Sequence, residues 1–328
     1  MLTGSRATYQ ATLETSKMPQ FDVTIAGELN LDLILYGLPQ QLEPERELLA
    51  KNMALTLGAS SAIVAHNLAA LGRRVGFCSK IGNDALGKVA LERLAEAGVD
   101  VLRVQYAKDG TNTGLTVILQ HGQWRNILTY PGTIAQLRYD DLDFGYLTSA
   151  RHFHLCSYYL QAGLRPRVPE LFKRLKSAGL TISLDTNDDP EDRWGGGLAE
   201  ALGYVDVFLP NEREAKRAAE TDDLEEAIGK LAETVGVVVV KMGAQGSIAQ
   251  RGKERFTRAG VNVNVVDPVG AGDSFDAGFL SEYVKGADLE TCLAAGNLAG
   301  AFSTTAAGGT EAFRDRSRRE AFWRENMK

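Results

Sequence analysis

The segment that is most informative about the fold is Val266-Asp267-Pro268-Val269-Gly270-Ala271-Gly272-Asp273-Ser274-Phe275-Asp276-Ala277-Gly278. The alternating pattern of Val263 to Val266 predicts a strand before it, and Ser274 to Lys285 have the apolar spacing of a helix. Glycine permits a tight turn that brings several backbone N–H groups close to a ligand. With the positive end of the helix dipole, these donors predict an anion site at Gly270, Ala271 and Gly272.

Asp273 follows this turn directly, and two interpretations of it are open. A carboxylate beside a phosphate is repelled unless it serves the incoming nucleophile, and a hydroxyl that attacks a phosphoryl group needs an acceptor for its proton. Asp is also a common helix cap. From these residues alone, Asp273 is either a general base or a cap.

The wider pattern, Asp-x-x-Gly-Ala-Gly-Asp-Ser-Phe followed by Ala-Gly, resembles the C-terminal signature of the ribokinase-like, PfkB-type carbohydrate kinases. The resemblance runs from Val23 to about Ala307. Its other motifs, in the family's order, are Ile25-Ala26-Gly27-Glu28-Leu29-Asn30-Leu31-Asp32, Gly58 to Gly72 with Ile81-Gly82-Asn83-Asp84-Ala85-Leu86-Gly87, Asp185-Thr186-Asn187 with Trp194, Asn211-Glu212-Arg213-Glu214, and Val240-Lys241-Met242-Gly243-Ala244-Gln245-Gly246. An ordered series of motifs is far more specific than any one of them.

The pattern of the whole chain predicts an α/β fold, because apolar strands alternate with helical segments. The resemblance specifies a ribokinase-like layered α/β/α core with a mostly parallel central sheet and a small β-sheet lid. Leu31–Tyr36 and the pair Gly114–Gln120 and Trp124–Tyr130, joined at His121-Gly122, predict the lid strands. We expect a flexible N-terminal extension at 1–20 and a kinase domain at 21–328, with lid strands inserted at about 29–50 and 104–135.

Length and composition fit a single α/β domain with a small appendage as well as two domains. The chain has 328 residues, 44% of them hydrophobic, and a net charge of -6, which gives no support to nucleic-acid binding. Cys78, Cys156 and Cys292 have no paired spacing, so neither a disulfide framework nor a Cys-x-x-Cys metal site is expected. Residues 1–20 are polar, and no apolar run approaches the roughly 18 residues of a membrane span. These features predict a cytoplasmic protein with no membrane partner.

The resemblance implies specific roles near the phosphates. Asp273 would be the general base, and ATP the phosphoryl donor. Asn211 and Glu214 would orient Mg²⁺ through its waters, since Mg²⁺ keeps several waters in such sites; the alternative for Glu214 is an exposed helical acid. Asp267 would help to hold a monovalent cation such as K⁺. Asn187 would lie near the phosphates.

The resemblance also implies that the loop at Gly243 and Gly246 lines the nucleotide site, with Asn297 near adenine. Lys241 precedes this loop and is either a phosphate contact or a strand-end charge, the second being favoured. The segment Gly82–Lys88 has the spacing of a P-loop, but Val89 replaces the Ser or Thr that binds Mg²⁺. This segment therefore predicts a turn and a helix start, with Asp84 near the sugar by resemblance.

The sugar side centres on Asp32, because a carboxylate can accept from two vicinal hydroxyls. Asn30 would assist it, and the alternative is an edge-strand Asp that faces water. Gly58, Ser60 and Ser61 would complete the substrate site. The sequence departs from the family here, because many members have Gly-Gly-x-x-x-Asn where this chain has Ala59 and Ile63 at the second Gly and the Asn. Either the serine hydroxyls replace that Asn, or the substrate differs.

The predicted function is an ATP-dependent sugar kinase that phosphorylates a primary hydroxyl of a small ribose-, fructose- or ketogluconate-like substrate. The resemblance also allows a homodimer formed through the lid. One alternative is a nucleoside kinase on the same fold. Another is a non-catalytic sugar-binding regulator, which the retention of Asp273 and Glu214 disfavours. The sequence does not choose among the sugars.

Overall fold

The computed structural model describes residues 19–121 and 124–326. The predicted flexible extension at 1–20 falls, except for residues 19 and 20, outside the described residues. Gly122 of the predicted hairpin turn also lies outside them.

The described residues form two sheets. Their strands are β1 (Phe21–Ala26), β2 (Leu31–Leu38), β3 (Asn52–Leu57), β4 (Val75–Ile81), β5 (Asp100–Tyr106), β6 (Leu115–His121), β7 (Trp124–Tyr130), β8 (Ala150–Leu155), β9 (Thr181–Leu184), β10 (Val207–Phe208), β11 (Val237–Lys241), β12 (Ser247–Arg251) and β13 (Glu254–Arg258). The large sheet has the order β13-β12-β11-β10-β9-β8-β1-β4-β5, and the small sheet the order β3-β2-β6-β7. In the large sheet, β12 and β13 are antiparallel and the other strands are parallel.

The α-helices are α1 (Ser60–Ala70), α2 (Ala85–Glu96), α3 (Phe144–Leu147), α4 (Val168–Ser177), α5 (Leu198–Leu202), α6 (Glu212–Ala218), α7 (Leu224–Ala232), α8 (Ala271–Tyr283), α9 (Leu289–Ser303), α10 (Glu311–Arg314) and α11 (Arg316–Asn326). One core packs α1, α2, α8 and α9 on the large sheet, and a second core packs α4, α5 and α7 on its other face. A parallel sheet covered on both faces explains why a strand such as Val237–Val240 is wholly apolar. The predicted α/β/α layers are confirmed.

The small sheet lies over the carboxyl-end edge of the large one. Its strands β2 and β6 run parallel, while β3 and β7 flank them in antiparallel pairs. Tyr36 of β2 donates from Oη to Asp267 Oδ2 (2.7 Å), which ties this sheet to the glycine-rich turn. The lid predicted at 29–50 extends to Leu57, because β3 pairs with β2.

One strand prediction is wrong. Val263–Val266 forms a loop, because no strand among the described residues pairs with it. Val265 and Val266 are exposed, and the N–H groups of Val266 and Asp267 both donate to Thr304 O. Sequence reasoning also missed β3, β5, β12 and β13. The residues of β3, β5 and β13 are largely exposed or half-buried and lack a clear apolar alternation, whereas β12 begins with three consecutive buried residues, Ser247 to Ala249.

Candidate active site

The glycine-rich turn begins α8 as predicted. Gly270 is the helix N-cap with φ of 74°, a left-handed conformation that favours glycine. A Cβ on Gly270 would lie 2.4 Å from Gly309 Cα, so no other residue fits. The N–H groups of Gly272 and Asp273 have no backbone acceptor within residues 19–121 and 124–326. Two donors at the positive end of a 13-residue helix are thus free for an anion.

Asp273 lies in the first turn of α8 and does not cap it, because the N-cap is Gly270 and no side-chain cap bond is made. It is buried, with 7% of its surface exposed. Asn187 Nδ2 donates to its Oδ1 at 3.4 Å. Burial, together with the negative charge of Asp185, raises the pKa of Asp273 to about 6, against the opposing effects of Lys241 and Ser60. Such a carboxylate is ionised at neutral pH and basic enough to accept a proton.

Lys241 ends β11 and points into a buried cluster of acids. Its Nζ lies 2.6 Å from Asp185 Oδ2 and 3.2 Å from Asp276 Oδ1, and both carboxylates are almost fully buried. A Cβ on Gly272 would lie 3.6 Å from Nζ, so this cation sits directly below the anion turn. Although burial opposes its charge, the two carboxylates raise the pKa of Lys241. The interpretation of Lys241 as a strand-end charge is therefore incomplete, because it did not include the two carboxylates that pair with this residue.

Asn187 links this cluster to Asp273. It adopts a left-handed φ of 51°, and its N–H donates to Asp185 Oδ1 at 3.0 Å. Its own Oδ1 accepts from Ser157 N at 2.8 Å. The side chain is therefore held at both ends, with its amide N–H directed at the carboxylate of Asp273.

Asn211 and Glu214 form a capping box at the start of α6. Asn211 Oδ1 accepts from Glu214 N, while Glu214 Oε2 accepts from Asn211 N (2.8 Å). Glu214 is 7% exposed, so the alternative of an exposed helical acid is wrong. Burial and the charge of Asp185 raise the pKa of Glu214 to about 7.

The predicted sugar ligand Asp32 is buried in the small sheet. This residue lies on β2, between β3 and β6, and is 6% exposed, so the alternative of an edge-strand Asp facing water is wrong. A Cβ on Gly58 would lie 2.1 Å from Asp32 Oδ1, which requires glycine there. Burial and the nearby charge of Asp273 raise the pKa of Asp32 to about 7. Asn30 is also buried, and its Oδ1 has no hydrogen-bond partner among the described residues.

The two predicted serine hydroxyls have different surroundings. Ser61 Oγ donates to Glu28 Oε2 at 2.8 Å, and Ser61 N donates to Glu28 Oε1. Ser60 forms a hydrogen bond that lowers the pKa of Asp273. Ile63, where the family carries its Asn, packs against the anion turn, because its Cδ1 lies 3.2 Å from the Cβ position of Gly270. Ile63 therefore acts as a packing residue below the turn.

The carboxylates of Asp84 and Asp267 mainly accept from backbone groups. Asp84 caps α2 through Gly87 N (2.8 Å) and also accepts from Thr113 N (2.7 Å). The predicted turn and helix start at Gly82–Lys88 is thus confirmed. Asp267 accepts from Val269 N at Oδ1 and from Gly308 N at Oδ2.

The predicted nucleotide residues lie at the β11–β12 turn and on α9. Gly243 begins a 3₁₀ turn with φ of 57°. Gly246 has φ of 104°, and a Cβ there would meet Arg258 O at 2.0 Å. Asn297 Nδ2 donates to the carbonyls of Arg258 and Ala259 at 3.1 and 3.2 Å, so it holds the segment after β13.

Three buried acids at this site carry no role in the sequence analysis: Glu28, Asp185 and Asp276. Asp185 follows β9 and Asp276 lies one helical turn after Asp273, so both stood within quoted motifs. Glu28 follows β1 and contacts Ser61. Burial is the property that marks these three acids as members of the site. A single sequence does not show it, because acidic side chains are usually exposed.

Within residues 19–121 and 124–326, no group of three or more His, Cys, Asp or Glu side chains is arranged to hold a metal ion. A separate search of the same residues found no helix of the length and apolarity needed to cross a membrane.

Comparison with known proteins gives one family across nearly all of the chain. The sequence model of the pfkB family carbohydrate kinases matches residues 20–316. An uncharacterized sugar kinase of Archaeoglobus fulgidus is 31% identical over 237 residues, covering 71% of this chain and 92% of the relative. An ATP-dependent ribose-1-phosphate kinase of Halopiger xanaduensis is 29% identical, covering 86% and 91%. A nucleoside kinase of Methanothermobacter thermautotrophicus is also 29% identical, covering 83% and 85%.

A solved structure has the same architecture. The structure of a candidate ribokinase II from E. coli in complex with ATP and Mg²⁺ aligns with a TM-score of 0.80 at 25% sequence identity. The alignment covers 93% of this chain and 99% of that one.

Proposed function

The chain belongs to the pfkB family of carbohydrate kinases, and we propose that it transfers the γ-phosphoryl group of ATP to a primary hydroxyl of a small sugar, with Asp273 as the general base. The observation that carries this proposal is the placement of Asp273. A buried carboxylate of raised pKa adjoins two free N–H donors at the start of α8. One group accepts the proton of the attacking hydroxyl, and the donors stabilise charge on the transferring phosphoryl oxygens.

The substrate hydroxyl would approach from the side of Asp32 and Asn30. Asp32 is close enough to Asp273 for the two charges to affect each other. The unpartnered Oδ1 of Asn30 supports a ligand in this place, because a buried acceptor without a partner is costly. Gly58, Ser60, Ser61 and Asp84 form the rim of the proposed sugar site. The lid above it would exclude water, which otherwise competes as phosphoryl acceptor.

The charge balance of the site fits Mg²⁺. Asp185, Asp276, Asp273 and Glu214 surround Lys241, so the buried acids outnumber this cation. A hydrated divalent ion would offset the excess, and Asn211 and Glu214 would hold its waters. The ion supplies charge neutralisation between the phosphates of ATP. For Asp267, a monovalent cation such as K⁺ stays a proposal, tested by comparing turnover in K⁺ and in tetramethylammonium salts.

The nucleotide would lie along Asn187, Gly243 and Gly246, on the opposite side of the anion turn from the lid. Asn187 supports this placement, because it donates toward Asp273 and is fixed by Ser157. Asn297 would border the adenine region through the segment it holds after β13. Lys241 would act on the phosphates from below the turn, through its charge.

A homodimer through the lid is a further part of the proposal. Strand β7 is exposed along its length, and Trp124, Ile127, Leu128 and Tyr130 are each more than half exposed. Exposed apolar residues clustered on an edge strand favour association with a second copy. Sedimentation analysis should find a dimer, and Trp124→Ser with Leu128→Ser should dissociate it. A monomeric wild type would reject this part.

A panel of sugars and nucleosides, assayed by coupled ADP release, tests the function. We expect turnover with a small sugar, and the alternative of a nucleoside kinase requires a nucleoside to be preferred. On the preferred substrate, Asp273→Asn should retain the fold and ATP binding but lose at least roughly 100-fold in turnover. Near-normal turnover would reject the base, and the absence of turnover with every acceptor would favour a non-catalytic regulator.

A further inference from the structure

A cavity outside the proposed active site lies between α1, α2, α8, α9 and α11. Its volume is about 1220 Å³, which is large enough for a nucleotide-sized molecule. Arginine is its dominant charged residue: Arg93, Arg314, Arg316, Arg319 and Arg324 line it. No role in the proposed phosphoryl transfer requires this cavity.

The acids of this cavity do not balance the arginines. Lys285 neutralises Glu282 at 2.7 Å, and Arg314 lies 3.7 Å from Glu96. On α11, Glu320 is the acid that faces Arg316, Arg319 and Arg324 together. The wall formed by α11 is therefore positive, even after the salt bridge between Arg316 and Glu320 is counted.

Arg319 is the most informative member of this wall. It is half-buried, and its Nη1 donates to the carbonyl of Phe313 at 3.0 Å. Burial lowers the pKa of Arg319 against the opposing charge of Glu320, which forms its salt bridge with Arg316. A guanidinium in this state gains most from a planar or tetrahedral oxyanion, which it binds through two N–H groups.

The cavity is connected to the anion turn by hydrogen bonds. His66 lines the cavity, and its Nδ1 lies 2.8 Å from Asn67 Oδ1. Asn67 Nδ2 donates to Ser274 Oγ at 2.9 Å, and Ser274 Oγ donates to Gly270 O at 2.7 Å. Three consecutive hydrogen bonds thus run from the cavity wall to the N-cap of α8.

A second connection leads to the lid. Arg93 and Arg314 of the cavity both lie near Glu311, at 3.8 and 3.5 Å. Glu311 Oε1 accepts from Thr56 Oγ1 at 3.2 Å, and Thr56 is paired with Asp32 in the small sheet. A change in the salt bridges of the cavity therefore reaches both sides of the active site.

From this arrangement we propose that the cavity is a regulatory site for a phosphorylated small metabolite, bound by Arg319 and Arg324 and coupled to the anion turn through His66, Asn67 and Ser274. Phosphate is favoured over a neutral ligand because the guanidinium groups of Arg319 and Arg324 both line this cavity. The phosphate of ATP at the active site is a separate ligand, held by backbone N–H groups of the turn.

The binding test uses 3-phosphoglycerate as the probe, with the active site saturated by Mg²⁺ and a non-hydrolysable ATP analogue. Calorimetry should show one further equivalent bound by the wild type. Arg319→Gln with Arg324→Gln should weaken that binding at least about tenfold. The control Arg46→Gln with Lys253→Gln removes the same charge elsewhere and should bind normally. No binding by the wild type at millimolar probe, or equal binding by the Arg319/Arg324 variant, would overturn the site. Because no sugar is needed, failure here is distinct from failure of the proposed function.

The coupling test measures turnover at saturating ATP and acceptor. The probe should change wild-type turnover about fivefold or more, a typical size for coupling between sites. His66→Phe should still bind the probe but lose the response, because its ring has no nitrogen for Asn67. The Arg319/Arg324 variant should keep its basal turnover and lose the response. A response that persists in both variants would place the probe at the active site and reject the coupling.

Discussion

The phosphoryl side and the acceptor side of the site are built by different means. On the proposed phosphoryl side, Asp185, Lys241 and Asp276 form buried ion pairs, and Asn187 connects them to Asp273. On the acceptor side, Asn30 Oδ1 and Gln161 Oε1 are buried without partners among the described residues. An unpaired buried polar atom costs about 1–3 kcal/mol. The proposed phosphoryl side is therefore partly organised by ion pairs within the chain, but it still has free donors at Gly272 and Asp273. Both sides also have an unpartnered buried oxygen among the described residues, Thr186 Oγ1 on the phosphoryl side and Asn30 Oδ1 on the acceptor side.

This difference indicates where specificity lies. The preorganised charges would serve any acceptor hydroxyl, so they suit a family with many substrates. The unpartnered atoms are free to match one pattern of hydroxyls. Substitutions on the phosphoryl side should mainly lower the free energy of unfolding, whereas substitutions on the acceptor side should lower substrate affinity alone.

The largest effect is expected for Lys241→Met. Removing the ammonium leaves the buried carboxylates of Asp185 and Asp276 without their cation, so the free energy of unfolding should fall by about 3–5 kcal/mol. Lys176→Met is the matched control, because its pair with Asp206 is about one-third exposed and should contribute about 1 kcal/mol or less. Urea unfolding measures both variants. Equal losses would show that the cluster is no more than an ordinary surface pair.

The next effect is expected for Asp32→Ala on the acceptor side. Its loss leaves sugar hydroxyls desolvated and unpaired, at a cost of about 1.5–3 kcal/mol. Sugar affinity should fall by about ten- to a hundredfold, while ATP affinity measured without sugar stays nearly constant. Calorimetry with the preferred substrate measures both affinities, and Asp140→Ala, a change at an exposed residue, is the control. Unchanged sugar binding would reject the acceptor site as described.

A smaller effect is expected for Glu214→Gln, which changes the charge near the phosphates. The Mg²⁺ concentration for half-maximal turnover should rise, with sugar affinity nearly unchanged. Glu212→Gln on the same helix is the control, because its side chain is partly exposed. A Mg²⁺ titration identical to the control would leave Glu214 with its capping role alone.

The sequence predicted the local structures of the proposed site and missed its long-range contacts, for a physical reason. The turn at Gly270 and the capping box of Asn211 and Glu214 are local structures, and local spacing determines them. The ion pairs of Lys241 join residues 35 and 56 positions apart, so no local pattern shows them. Whether a polar atom lacks a partner depends on the whole packing.

One wrong prediction and one substitution show how much depends on neighbouring residues. The strand predicted at Val263–Val266 is wrong. Alternating apolar residues show only that a segment is able to pair in a sheet, and no strand among the described residues pairs with this one. Ile63, where a sugar contact is predicted to be missing, packs against Gly270 and Gly309 below the turn, and the lost contact stays a prediction. In both cases, the structure of the segment depends on contacts with residues that are distant in the sequence.

The most direct test of Asp273 as the base is the pH dependence of kcat/KM. The folded pKa of Asp273 is raised to about 6, and only the ionised carboxylate accepts a proton. Protonation of Asp273 should therefore lower wild-type kcat/KM about tenfold per pH unit below pH 6, in addition to the loss that Asp32 and Glu214 cause near pH 7. The residual activity of Asp273→Asn should lack this fall. The same acid limb in Asp273→Asn as in the wild type would assign the titration to another group and contradict the account.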